Sequence, residues 1–120
     1  MTRVTTTDEV LDVELQGLHR LWALKRRIRV PLAQVRGATV DPGMVSEPKG
    51  VRAPGLHVPG VAVVGTFTRD GERTFWDVGS GANAVVIELS GASYDRLVVE
   101  VDDPRAVADG VNRALARTGG

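Results

Sequence analysis

The sequence predicts a mainly β domain of about seven short antiparallel strands, closed by one C-terminal helix. From residue 61 onward, short apolar runs alternate with Gly-, Asp- and Ser-rich turns too closely for helices. Asp70-Gly71 between two of these runs is the two-residue signal of a type I′ hairpin. The last nineteen residues, 102–120, carry a helical pattern instead.

The first strand reads as 10–15, where Val10, Leu11, Val13 and Leu15 alternate imperfectly with acids before Gly17. Residues 17–24 space Leu18, Leu21, Trp22 and Leu24 as a short helix or an irregular crossing segment would. Residues 26–30 alternate charged and apolar side chains, which suits a half-exposed strand ending at Pro31. A tight connection over 31–35 leads to a strand over 36–40, stopped by Asp41-Pro42-Gly43. Residues 41–60 hold four prolines and four glycines without periodicity, and are expected to be one long functional or mobile loop. Strands follow at 61–69, 72–78, 84–89 and 96–101, the first apolar enough at its start for burial on both faces.

The helix is expected over 103–117. Asp102 and Asp103 supply an N-cap oxygen and charge for the positive end of the helix dipole, and Pro104 suits the first helical position. Val107, Val111 and Leu115, flanked by Ala108 and Ala114, form an apolar stripe expected to face the sheets. Arg113 and Arg117 suit the negative end, and Gly119-Gly120 ends the pattern.

At 120 residues the chain reads as a single domain, with 1–8 expected to be flexible. It has no cysteine, which excludes disulfides, thiolate chemistry and Cys-based zinc sites. The N-terminus has no signal-peptide-like apolar core, and no apolar run is long enough to span a bilayer. A cytoplasmic protein is expected, with peripheral membrane attachment as a variant. Net charge is zero, yet 15–40 holds no acid, while Arg20, Lys25, Arg26, Arg27, Arg29 and Arg36 fall there. That asymmetry suits a basic face for an anion or acidic partner. The simpler reading is a solvated strand face balanced by acids on neighbouring strands. Thirteen arginines against two lysines fit a GC-rich bacterial genome and weaken the argument from arginine.

Strands followed by one C-terminal helix is the element order of the pleckstrin-homology superfold. The chain more specifically resembles bacterial PH-like domain proteins of uncharacterised function. Residues 29–32 (RVPL), 50–55 (GVRAPG), 58–60 (VPG) and 94–104 (YDRLVVEVDDP) carry the resemblance, which covers nearly the whole chain. It implies a split barrel plugged by the helix. It says little of activity, because PH-like folds serve lipid binding, peptide binding and scaffolding alike.

No HExxH, EF-hand spacing, nucleophile elbow, Walker motif or dinucleotide fingerprint is present. No metal, cofactor or catalytic residue is therefore assigned, and no nucleic-acid partner is expected. Trp76 reads as core or barrel rim before ligand platform, while Trp22 among leucines suits either core or an exposed partner-binding patch. His57 near Arg52 suits an anion contact or a solvated loop, and His19 reads as a surface or boundary residue. The leading expectation is a non-catalytic module that binds a protein segment or self-associates, through 41–60 or an exposed sheet edge. The alternative is recognition of an anionic headgroup or phosphorylated ligand. Lys25, Arg26, Arg27, Arg29, Arg52, His57 and Trp22 are the candidate contacts for these two readings. A small enzyme ranks third and would need a pocket of converging polar groups.

Overall fold

A strand with apolar residues at consecutive positions needs cover on both of its faces. Leu97, Val98 and Val99 are such a run, and all three are fully buried. The computed structural model describes residues 2–15, 27–46, 51–58, 62–79 and 82–118, with backbone only for 45–46, 51–58, 62 and 118.

Among the described residues nine strands form two sheets. β1 (Arg3–Thr6), β2 (Val10–Glu14) and β3 (Arg27–Pro31) make a three-stranded antiparallel sheet. The other six are β4 (Val35–Val40), β5 (Val51–Val58), β6 (Ala62–Arg69), β7 (Glu72–Val78), β8 (Ala84–Leu89) and β9 (Arg96–Glu100). They form one sheet in the order β4-β8-β9-β7-β6-β5, and the helix α1 (Pro104–Thr118) follows them. The mainly β class and the single C-terminal helix agree with the sequence.

Several details differ from the expectation. Neither sheet closes on itself as a barrel. The strand count is nine, not seven, and β9 pairs with β7 in parallel, from Thr74↔Arg96 to Asp77↔Val99. β9 is thereby inserted between β8 and β7, so its apolar run reaches the middle of the sheet. Residues 1–8, expected to be flexible, hold β1. Its start is fastened by a backbone hydrogen bond from Thr2 to Glu100 (3.3 Å) and by the Thr2 hydroxyl donating to the buried Asp77 carboxylate. Residues 41–60, expected to be one loop, hold β5 and a 3₁₀ turn over Pro42–Ser46. Pro54 is accommodated because β5 is an edge strand whose register shifts between Arg52 and Gly55. The segment 17–24 lies outside the described residues.

The hairpin is as expected. Arg69 pairs with Glu72, and Asp70 (φ 53°) and Gly71 (φ 81°) take the two positive φ values of a type I′ turn. Pro31 sits opposite Val10, in a ladder position where β2 needs no N–H from it. A 3₁₀ turn over Leu32–Gln34 then carries the chain from one sheet to the other, and Leu32 donates back to Glu9 (2.9 Å).

The main core lies between the two sheets and α1. Leu11, Val13, Ile28 and Val30 from the small sheet meet Val64, Phe75, Val85, Ile87, Leu97 and Val99 from the large one. At one margin Tyr94 meets Phe75 (centroids 5.6 Å apart), with the Arg73 guanidinium over the Tyr94 ring. A second apolar cluster occupies the opposite, outer face of the large sheet: Val63, Phe67, Trp76, Val78, Ala84, Val86 and Val98, with Met44 packed on it. Glu100, itself buried, accepts from the backbone N–H groups of Gly79 (2.7 Å) and Asn83 (3.0 Å) and so fixes the approach to β8.

α1 starts as the sequence predicts. Asp103 caps it by accepting from the Ala106 N–H at 3.1 Å. The stripe is rotated from the expected one: Ala108, Val111 and Ala114 are buried, whereas Val107 and Leu115 sit at its margins. Asn112, exposed beside this stripe, ties the helix to β4. Its carboxamide accepts from the Ala38 N–H (3.1 Å) and donates to the Ala38 carbonyl (2.9 Å), closing the outer edge of β4 as a neighbouring strand would.

Two outcomes test this account. Asn112→Ala leaves two backbone groups of β4 without their partner and should lower stability by about 1–3 kcal/mol in urea denaturation. Asp103→Ala removes one cap and should cost about 1 kcal/mol by the same measurement. A smaller loss for Asn112→Ala than for Asp103→Ala would show that the β4 edge does not depend on the carboxamide.

Candidate functional site

Cross-strand neighbours share a face, so the ladder registers define what the outer face of the large sheet presents. One row runs Thr39, Val86, Val98, Trp76, Gly65; the next runs Glu88, Arg96, Thr74, Phe67. Gly65 has a positive φ of 123° and stands opposite Trp76, where β6 bends. Trp76 is only 2% exposed, as the core reading expects, although the core it joins is the outer one.

Over this face opens a cleft of about 400 Å³. Trp76, Val86 and Met44 supply its apolar surface, and Thr39 and Thr74 add hydroxyls. The rim is ionic: Asp41, Asp70, Glu72 and Glu88 stand with Arg69 and Arg96 among the described lining residues. Arg96 reaches Glu72 (3.3 Å) and Glu88 (3.5 Å), while Arg69 approaches its neighbour Asp70 at 3.8 Å. Asp41 accepts from the Gly43 N–H at 3.1 Å, and Met44 donates to the Asp41 carbonyl. This local turn brings Met44 onto the sheet. The arrangement suits a ligand with an apolar part and polar margins.

The candidate contacts named from the sequence lie elsewhere or beyond description. Lys25, Arg26 and Trp22, with His19, fall outside the described residues. Arg52 and His57 lie on β5, which is described as backbone; Arg52 stands in register with Phe67 and His57 with Val63. Arg27 and Arg29 are exposed on β3, and both are engaged by β2. Arg27 reaches Asp12 (3.2 Å) and Glu14 (2.7 Å), Arg29 reaches Asp12 (3.6 Å), and Arg3 of β1 approaches Glu14 at 3.9 Å. Three arginines thus face two carboxylates across three strands. Arg27 and Arg29 lie on an exposed strand face whose charge is partly offset, with one arginine in excess.

Sequence reasoning gave no role to Thr39, Thr74, Glu88 or Arg96. The signal was present only in the alternation of 84–89 and 96–101, and the parallel pairing that unites those faces is not encoded locally. Met44 had a faint signal, with Val45, as an apolar pair between turn-formers. Among the described residues, no three His, Asp or Glu side chains cluster as a metal site would, and no helix is long and apolar enough to cross a membrane.

Arg27 and Arg29 are themselves exposed, although Asp12 is only 19% exposed and its Oδ1 is buried, so Arg27→Ala and Arg29→Ala should each change stability by less than about 1 kcal/mol in urea denaturation. A loss of several kcal/mol would mean that Asp12 depends on them as buried partners. No family model, curated protein or solved structure matches this chain.

Proposed function

We propose that the chain is a non-catalytic interaction module of PH-like architecture that receives a segment of a protein partner, or of a second copy, on the outer face of its large sheet. The observation that carries this reading is the cleft beside the Pro42–Ser46 turn, which is lined by the buried Trp76 and Val86 of the outer apolar cluster and by the half-buried Met44. Apolar surface framed by hydroxyls and opposed charges is the composition of a peptide-receiving site. It also lies where 41–60, the expected binding segment, begins. The PH-like part of the reading rests on the order of strands followed by one helix and on the sequence resemblance. The parallel β7–β9 pair and the unclosed sheets are departures from that pattern.

Anionic-headgroup recognition receives less support. Two of its proposed contacts, Arg27 and Arg29, already share Asp12 and Glu14. Catalysis also receives little, because the ionisable groups of the cleft pair with one another or with the backbone and do not converge on a vacant centre.

A photo-crosslinking residue placed at Thr39, on the cleft, should yield a discrete protein adduct in cells, and the same residue at Arg29 should not. Vesicles containing phosphatidylserine should fail to retain the protein even at low ionic strength. Absence of a Thr39 adduct, or vesicle binding abolished by Arg27→Glu with Arg29→Glu, would replace this reading with the electrostatic one.

A further inference from the structure

The geometry points to a second binding surface: we infer that the edge of β1 left unpaired among the described residues, in the groove it forms with α1, accepts an extended segment of another protein as an added antiparallel strand. This rests on the same reading of the chain as an interaction module, but on a different surface from the outer-face cleft.

The edge follows from the ladder. The Thr7 N–H donates to the Val10 carbonyl (2.9 Å), so the alternation of an antiparallel pair makes Thr5/Asp12 and Arg3/Glu14 the bonded pairs of β1 with β2. Val4 and Thr6 therefore direct their N–H and C=O groups away from β2. Thr2, of the same parity, points outward too, and its N–H is the one that reaches Glu100. Both Val4 and Thr6 line a groove of about 570 Å³ against α1, a volume within the usual range of ligand sites, about 300–1,000 Å³.

A second observation comes from the helix. Gly110 lies in the interior of α1 and also lines the groove, and a Cβ built there would meet nothing within 4 Å. Glycine in a helix interior is destabilising relative to alanine, and no contact within the chain requires it here. A backbone approaching from outside would.

Charge identifies the occupant. α1 and β1 run in the same direction, since Arg117 bonds to Asp8 just beyond β1 (3.1 Å) while Asp102 and Asp103 line the groove beside Thr2. Arg113, together with Arg117, which is bonded to Asp8, therefore marks the end near Thr6, and Asp102, together with the capping Asp103, the end near Thr2. Arg3 also lines the latter end but leans to Glu14. An antiparallel strand enters with its N-terminal half beside the arginines and leaves with its C-terminal half beside the aspartates. The fitting segment carries carboxylates in its first half and basic residues in its second. A second copy of β1 has the opposite polarity, with its Arg3 brought to the basic end and its Asp8 to the acidic end. The occupant is thus a different protein.

The test is a display library of random twelve-residue peptides selected on the intact protein, with Gly110→Leu and Thr6→Pro as controls. Gly110→Leu fills the groove and should keep or raise the melting temperature; Thr6→Pro removes an outward N–H without breaking the β1–β2 ladder. Selected peptides should bind the unmodified protein at least tenfold more tightly than either variant. They should be acidic in the first half and basic in the second, and slow amide exchange at Val4 and Thr6. Equal binding to all three proteins, or recovery of no peptide, would overturn the proposal. Peptides that shift Thr39 and Val86 instead would overturn it while supporting the outer-face cleft. A concentration-dependent dimer protecting Val4 and Thr6 would also overturn it, in favour of self-pairing.

Discussion

The structure depends on one constraint: β9 is apolar on both faces and lies in the middle of its sheet. Leu97 and Val99 point into the core shared with the small sheet, and Val98 points the other way, beside Trp76 and Val86. Burial of each such side chain contributes on the order of 1.5–3 kcal/mol, so leaving either face in water would forfeit several of them. One cover is supplied by the three-stranded sheet with α1. On the other face, Met44 from the Pro42–Ser46 turn is the described residue that packs on the second cluster. Both faces are covered, since the outer cluster is itself buried, and the cleft opens beside it at the Pro42–Ser46 turn.

The same constraint explains the short polar strand at the N-terminus. β1 contributes little apolar area beyond Val4, yet it is held at both ends of the molecule's inner layer. Thr2 bonds to Asp77 and Glu100 of the large sheet, and Asp8 beyond its far end bonds to Arg117 of α1. Asp77 faces the interior among apolar rows, so the Thr2 hydroxyl contributes a hydrogen bond to a buried carboxylate. The tether is polar because the site it satisfies is polar.

What was legible in the sequence was what local chemistry decides. The Asp70-Gly71 turn, the Asp103-Pro104 helix start and the apolar runs of β6 to β9 each depend on residues within a few positions of one another. β1 was not legible, because Thr-rich tetrapeptides carry no burial signal and its anchors are seventy-five or more residues away. β5 was masked by prolines and glycines, which a strand tolerates at an edge and a bulge but which read locally as a loop. The parallel β7–β9 pair was hidden for another reason: pairing partners are selected by which apolar faces match, and the intervening β8 hairpin suggested a simple meander. The outer-face site was lost with it, since Glu88, Arg96 and Thr74 become neighbours only through that pairing.

α1 shows how one short element serves two edges in different ways. Asn112, exposed beside the apolar stripe, gives β4 the donor and acceptor of an additional strand. Two positions earlier, Gly110 turns no side chain at all toward β1. A helix selected only for stability would carry alanine there and a larger apolar residue on the β1 side. Edge strands are commonly protected by charge, proline or cover. Here α1 covers β4 at Ala38 through Asn112 and gives Val4 and Thr6 no such partner, although the same helix passes both. The difference lies in two residues of α1, and it makes the β1 edge a surface kept open by the sequence and not merely left over by the fold.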